Sequence, residues 1–65
     1  MLKKKLEELG IRQKELASAA NVAYGTVNRI CNHKYKAGPI LQNRLRIALE
    51  KLAGQKFVLE NLFNY

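Results

Sequence analysis

Apolar residues in this chain recur at helical spacing, but only in short bursts. Leu2, Leu6 and Leu9 stand at i, i+4, i+7; Leu16, Ala17 and Ala20 follow, then Val27 and Ile30, then Leu41, Leu45, Ala48, Leu49 and Leu52. Each burst has the period of one buried helix face. Each also ends at a residue that tolerates left-handed backbone or cannot continue a helix: Gly10, Asn21, Asn32, the pair Gly38-Pro39, and Gly54. The chain is thereby restricted to short helices that can hide their stripes only against one another. The expected helices cover about 2–9, 12–20, 23–31 and 39–53, with Pro39 at the first position of the fourth. Val22 is expected to be pinned between the second and third, and Ile11 to join the core at the entry to the second.

At 65 residues the chain is a single domain, 1–65. A domain this small hides only about 60% of its unfolded surface and needs a disulfide, a metal, tidy helix packing or a partner subunit. One cysteine, Cys31, excludes an internal disulfide. Cys31 and the lone His33 cannot supply the roughly four ligands of a structural zinc site. Helix packing and self-association remain. The start, Met-Leu-Lys-Lys-Lys, has no apolar run after it, and no stretch approaches the roughly 20 apolar residues of a membrane span. The expectation is a cytoplasmic protein with a reduced thiol and no membrane partner.

The tail, 55–65, admits two periodicities. Val58, Leu59, Leu62 and Phe63 make a helical face; Phe57, Leu59, Phe63 and Tyr65 also fall on one side of a strand interrupted by Asn61. A short fifth helix is preferred. So much apolar surface either closes the core or forms a dimer interface through Phe57, Val58, Leu62, Phe63 and Tyr65; one helix can do both with different faces.

Twelve Lys+Arg face five acids, for a net charge of +7. Their distribution is more informative than the total. Residues 16–49 hold no acid, whereas Arg29, Lys34, Lys36, Arg44 and Arg46 all fall inside that span. A basic middle between acidic flanks predicts a surface for a polyanion. Nothing points to catalysis: there is no acid pair in the middle, no glycine-rich phosphate loop and no Ser/His/Asp set. No enzyme activity, cofactor, metal or small-molecule ligand is expected. Cys31 reads as a small apolar residue at the edge of the core, His33 as a surface residue, and Lys3, Lys4 and Lys5 as a solvated helix face.

The stretch ANVAYGTVNRI, 20–30, is the anomaly. A helix that needed only to stay helical would not place Tyr24, Gly25 and Thr26 in a row; an interior glycine costs about 1 kcal/mol relative to alanine. If Val27 and Ile30 point inward, then Tyr24, Gly25, Asn28 and Arg29 point outward. With a very short connection before it, and with Ala17 and Ala20 small enough for close helix contact, the segment reads as a helix-turn-helix. A DNA major groove admits one helix. An outward glycine permits close backbone approach. Arginine can bond guanine O6 and N7, asparagine can pair with adenine, and a tyrosine ring can pack on a thymine methyl. Arg29 also suits a helix C-terminus as a cation near the last carbonyls.

The segment 13–32, QKELASAANVAYGTVNRICN, resembles the helix-turn-helix of the lambda-repressor-like superfamily, which includes phage repressors and Cro proteins, XRE-type regulators and LacI-type headpieces. VAYGTVNRICN is similar to the LacI-type second helix, whereas a helix ahead of the motif, at 2–9, matches the phage-repressor and XRE layout. The resemblance implies base reading by Tyr24, Gly25, Asn28 and Arg29. It implies backbone contacts by Gln13, Ala23, Thr26 and Asn32, with Lys34, Tyr35 and Lys36 in the loop behind. Two positions depart from the pattern. Asn21 stands where a turn glycine is usual. Ala23 stands where Ser, Thr or Gly usually caps the recognition helix, a loss of about 1 kcal/mol.

The combined expectation is an all-α fold of four or five helices containing a lambda-repressor-like DNA-binding domain. Its function would be that of a sequence-specific repressor of double-stranded DNA, phage- or XRE-type, acting as a homodimer on a palindromic operator or dimerising only on DNA. Half-sites would lie about 34 Å apart. The rival expectation is an antitoxin or adaptor that binds a protein through its apolar tail. A third option is a basic membrane-surface peptide, and the breaks at Gly10, Gly38-Pro39 and Gly54 speak against the one continuous amphipathic helix it would need.

Overall fold

The structure, a computed structural model, describes residues 2–63. It comprises α1 (Leu2–Leu9), α2 (Gln13–Ala20), α3 (Tyr24–Cys31), α4 (Pro39–Ala53) and α5 (Leu59–Leu62). The described residues contain no strand, so the tail takes the helical of its two periodicities.

One stop signal ends the first three helices. Gly10, Asn21 and His33 adopt left-handed backbone, with φ of 69°, 56° and 59°. In each case the following N–H reaches back across the turn: Ile11 to the Leu6 carbonyl (3.0 Å), Val22 to Ala17 (2.9 Å) and Lys34 to Arg29 (2.8 Å). The left-handed residue donates to Glu7, Ser18 and Ile30, respectively. These paired bonds satisfy carbonyls that a helix end leaves open. Ile11 and Val22 then pack against the core, whereas Lys34 is exposed. The first two stops therefore fold the chain inward, and the third sends it outward into the basic loop. Asn32, expected at this stop, has φ −95°. The reversal falls one residue later, at His33, where the Lys34 N–H meets the Arg29 carbonyl.

The starts of α2 and α3 also fall one residue later than periodicity suggests. Arg12 (φ −83°, ψ 151°) and Ala23 (φ −62°, ψ 138°) are extended, as a residue that caps a helix must be. Glu15 turns back to accept the Arg12 N–H at 3.0 Å. Arginine has no acceptor with which to return the bond. Ala23 has no hydroxyl, so α3 begins without a side-chain cap.

Leu16, Val27, Leu45, Leu49 and Leu62 are the largest fully buried side chains, drawn from four of the five helices. α2 packs most extensively on α4 and next on α3; α1 rests on α3 and α5. Ala17 and Ala20 are buried where α2 meets its neighbours. Cys31, expected at the edge, is 2% exposed, and burial pushes its thiol pKa up. Leu52, assigned to the α4 stripe, is instead 41% exposed. It lies in the last turn of a 15-residue helix whose main partner has 8 residues.

A polar latch seats the tail. The Phe57 N–H donates to Glu50 Oε2 at 3.0 Å, and Arg46 Nη1 donates to the same oxygen at 2.9 Å. Arg46 Nη2 also donates to Asn43 Oδ1. The chain then enters α5, and Leu62 and Phe63 insert into the core at 1% and 7% exposure. Core closure and a dimer interface were both open to these two residues; their side chains are buried within this chain, where the tail packs on α1 and α4. Phe57 is half-buried against the core, Val58 is exposed, and Tyr65 lies outside the described residues.

Candidate nucleic-acid interface

α3 has two chemically distinct sides. Val27 and Ile30 are 0% and 3% exposed, whereas Tyr24, Gly25 and Arg29 are open to solvent and Asn28 is half-buried. The outward quartet is thus presented together. A β-carbon built on Gly25 would meet nothing within 4 Å, and the backbone there is not left-handed. No packing inside the chain demands glycine at this position.

Asn28 is half-buried because it is bonded on both sides. Its Nδ2 donates to Gln13 Oε1 at 3.0 Å, and its Oδ1 accepts from Asn32 Nδ2 at 3.2 Å. The three amides form a ladder from the first residue of α2 to the end of α3. Each amide has more donors and acceptors than the ladder uses. Asn28 retains one N–H and one carbonyl lone pair, the set an adenine edge requires.

Two residues without an assigned role join this site. Lys14 places its ammonium 5.8 Å from the centre of the Tyr24 ring, within range of a cation–π contact. Arg12 and Lys14 line one open cleft with Gln13, Tyr24 and Asn28. Sequence periodicity puts Lys14 on the outside of α2 but does not tell which residue of α3 it meets; that depends on how the two helices cross. A second cleft is lined by Thr26, Arg29 and Tyr35. Tyr35 of the basic loop is thereby brought against α3. Ala23, Asn32, Lys34 and Lys36 are exposed, and none of the four lines either cleft. Phe57, Val58, Leu62 and Phe63 take no part in them.

Among the described residues there is no cluster of three or more His, Cys, Asp or Glu side chains able to hold a metal ion. No helix among the described residues is long and apolar enough to cross a membrane. Within 16–49, which holds α3 and the basic loop, every charged residue is a cation; the exposed Glu15 stands just before that span, beside Lys14. The site therefore offers an exposed helix ridge, amides and cations, a set suited to base edges and phosphates.

Neither a curated protein nor a solved structure matches the chain. Residues 2–39, more than half of the chain, match the family model described as Helix-turn-helix, and the protein belongs to the XRE-type, lambda-repressor-like helix-turn-helix family of DNA-binding regulators.

Proposed function

We propose that the protein is a sequence-specific transcriptional repressor that reads a palindromic operator as a homodimer. α3 enters the major groove; Arg29 bonds guanine, Asn28 pairs with adenine, and Tyr24 packs on a thymine methyl or gives its hydroxyl to a phosphate. Gln13, Ala23, Thr26, Asn32, Lys34, Tyr35 and Lys36 follow the backbone on either side. The observation that carries this reading is the division of α3, with Val27 and Ile30 inside and the Tyr24–Arg29 quartet outside. An exposed glycine with no internal purpose supports close approach of a ligand to the helix backbone.

One helix-turn-helix contacts few base pairs, which argues for two copies on adjacent half-sites. The buried Leu62 and Phe63 leave Val58 as the exposed large apolar side chain of the described tail. The same burial weakens the reading of the tail as a partner-binding segment of an antitoxin or adaptor. Selection of bound duplexes from a random pool tests the function. A palindromic consensus supports it, and recovery of unselected sequence would overturn it.

A further inference from the structure

Helix α1 carries its charges against its own dipole. Lys3, Lys4 and Lys5 stand in its first turn, and Glu7 and Glu8 in its last. A helix favours the reverse order, acids at the start and cations at the end. The Lys5–Glu8 ion pair, at 3.6 Å, is solvent-exposed at Glu8 and offsets little of this. At eight residues α1 is also too short to persist alone. Packing holds it: Leu2 and Leu6 are buried, and the helix rests on α3 and α5. α5 has four residues and leans in turn on α1 and α4. The two ends of the chain thus support one another. Each joins the rest through a left-handed glycine, Gly10 at φ 69° and Gly54 at φ 71°. Both glycines are exposed, and a β-carbon on either would meet nothing within 4 Å. By contrast, α2 joins α4 and α3 more extensively than α1 or α5 joins any neighbour. Cys31, at the end of α3, is buried where α1 approaches. Burial pushes its thiol pKa up and the Lys3 charge works the other way, so the first turn of α1 is close to it.

We propose that α1 and the tail from Phe57 to Phe63 open together as one unit, hinged at Gly10 and Gly54, while α2, α3 and α4 stay folded. Helix α3 then has one fixed support, α2, and one removable support, α1. Opening breaks the Glu50–Phe57 latch, withdraws Leu62 and Phe63 from the core and bares Cys31. Segments that open below the global unfolding free energy are those with few buried contacts, and α1 with its reversed charges is the helix least able to hold itself. Anything that captures the tail would thereby loosen α3 from the opposite end of the chain. The opening stands without the DNA-reading role; only its effect on binding rests on that role.

Cys31 serves as the reporter. In the free full chain, its labelling by a chromogenic aromatic disulfide is followed beside amide exchange by NMR. Leu6, Phe63 and the Cys31 thiol are expected to share one opening free energy, lower than that of the Leu45 and Leu49 amides. Leu59→Ala, at a half-buried position of the tail, is expected to raise the rates at Phe63, Leu6 and Cys31 together by about tenfold, the effect of about 1.4 kcal/mol. Leu41→Ala, at a half-buried position of α4, is expected to speed Leu45 and Leu49 and to leave Leu6 and Cys31 unmoved. A thiol that reacts no faster than Leu45 exchange permits overturns the proposal, as does a Leu59→Ala protein in which Phe63 responds and Leu6 does not. Operator duplex at about a hundred times its Kd is expected to slow Cys31 labelling about a hundredfold, because the open form loses its place in the bound equilibrium. Labelling that bound duplex leaves unchanged would overturn the coupling of the unit to α3. If the chain binds no duplex, the DNA-reading function falls, and the opening is decided by the thiol and amides of the free protein.

Discussion

The Asn28 side-chain amide donates to Gln13 Oε1 at 3.0 Å and so ties the outward face of α3 to the first residue of α2. The bond crosses from the supporting helix to the reading helix, and it sets the rotamer of a side chain proposed to meet a base. A hydrogen bond of this kind contributes about 0.5–1.5 kcal/mol. A double-mutant cycle of Gln13→Ala and Asn28→Ala on operator affinity is expected to show coupling of that size. Strict additivity would mean that the two amides act independently on DNA.

Gly25→Ala is expected to separate stability from binding. The added methyl meets open space, and the backbone is ordinary, so the fold gains up to about 1 kcal/mol in helix propensity. For a domain of this size that raises Tm by about 4–8 °C. Duplex affinity is expected to fall, because the methyl occupies space the bases need. A variant that is more stable and binds equally well would remove Gly25 from the interface.

Arg29 and Lys36 are expected to behave differently. Arg29→Ala should cost about 1–3 kcal/mol on the operator and relax selectivity at one base pair. Lys36→Ala should weaken all duplexes equally and lower the salt slope by about 1. Titrations on cognate and random duplexes at several salt concentrations distinguish them. Equal losses on both duplexes for Arg29→Ala would demote it to a backbone contact.

The tail latch should be acid-sensitive. The Phe57 N–H, reinforced by Arg46, holds the Glu50 carboxyl pKa below its usual value. Folding therefore binds fewer protons at this group, and stability rises with pH through the carboxyl range. The contribution is complete above the ordinary glutamate pKa and disappears as the pH falls through the lowered one. Glu50→Gln is expected to lower Tm at neutral pH and to flatten its acid-side decline. An unaltered pH profile would show that Glu50 does not anchor the tail.

The division of the tail between core and surface is open to direct measurement. Leu62→Ala is expected to cost about 2–5 kcal/mol in denaturant unfolding, as for a buried leucine, enough to unfold much of a domain this small. Val58→Ser, at a 59% exposed position, should stay within about 0.5 kcal/mol. Comparable losses would mean that Val58 is covered, as it would be by a second copy.

Helix number, helix order and the outward quartet of α3 were legible in the residues because they depend on local rules. Period fixes which side of a helix is apolar, and Gly10, Asn21 and Gly54 punctuate through backbone preferences acting within one turn. The His33 stop was less visible, since histidine is only an occasional left-handed residue and Asn32 beside it is the better candidate by preference.

Other features arise from contacts between residues far apart along the chain. The Gln13–Asn28 bond, the Lys14–Tyr24 contact and the Glu50–Phe57 latch each depend on how helices cross or chain segments return. The tail shows the same boundary. Its apolar pattern announced that Leu62 and Phe63 need cover, but a pattern cannot say whose surface provides it. Packing against α1 and α4 supplied that cover from within the chain. Local chemistry thus specifies which faces must be hidden or shown, and the relative placement of helices specifies what each face meets.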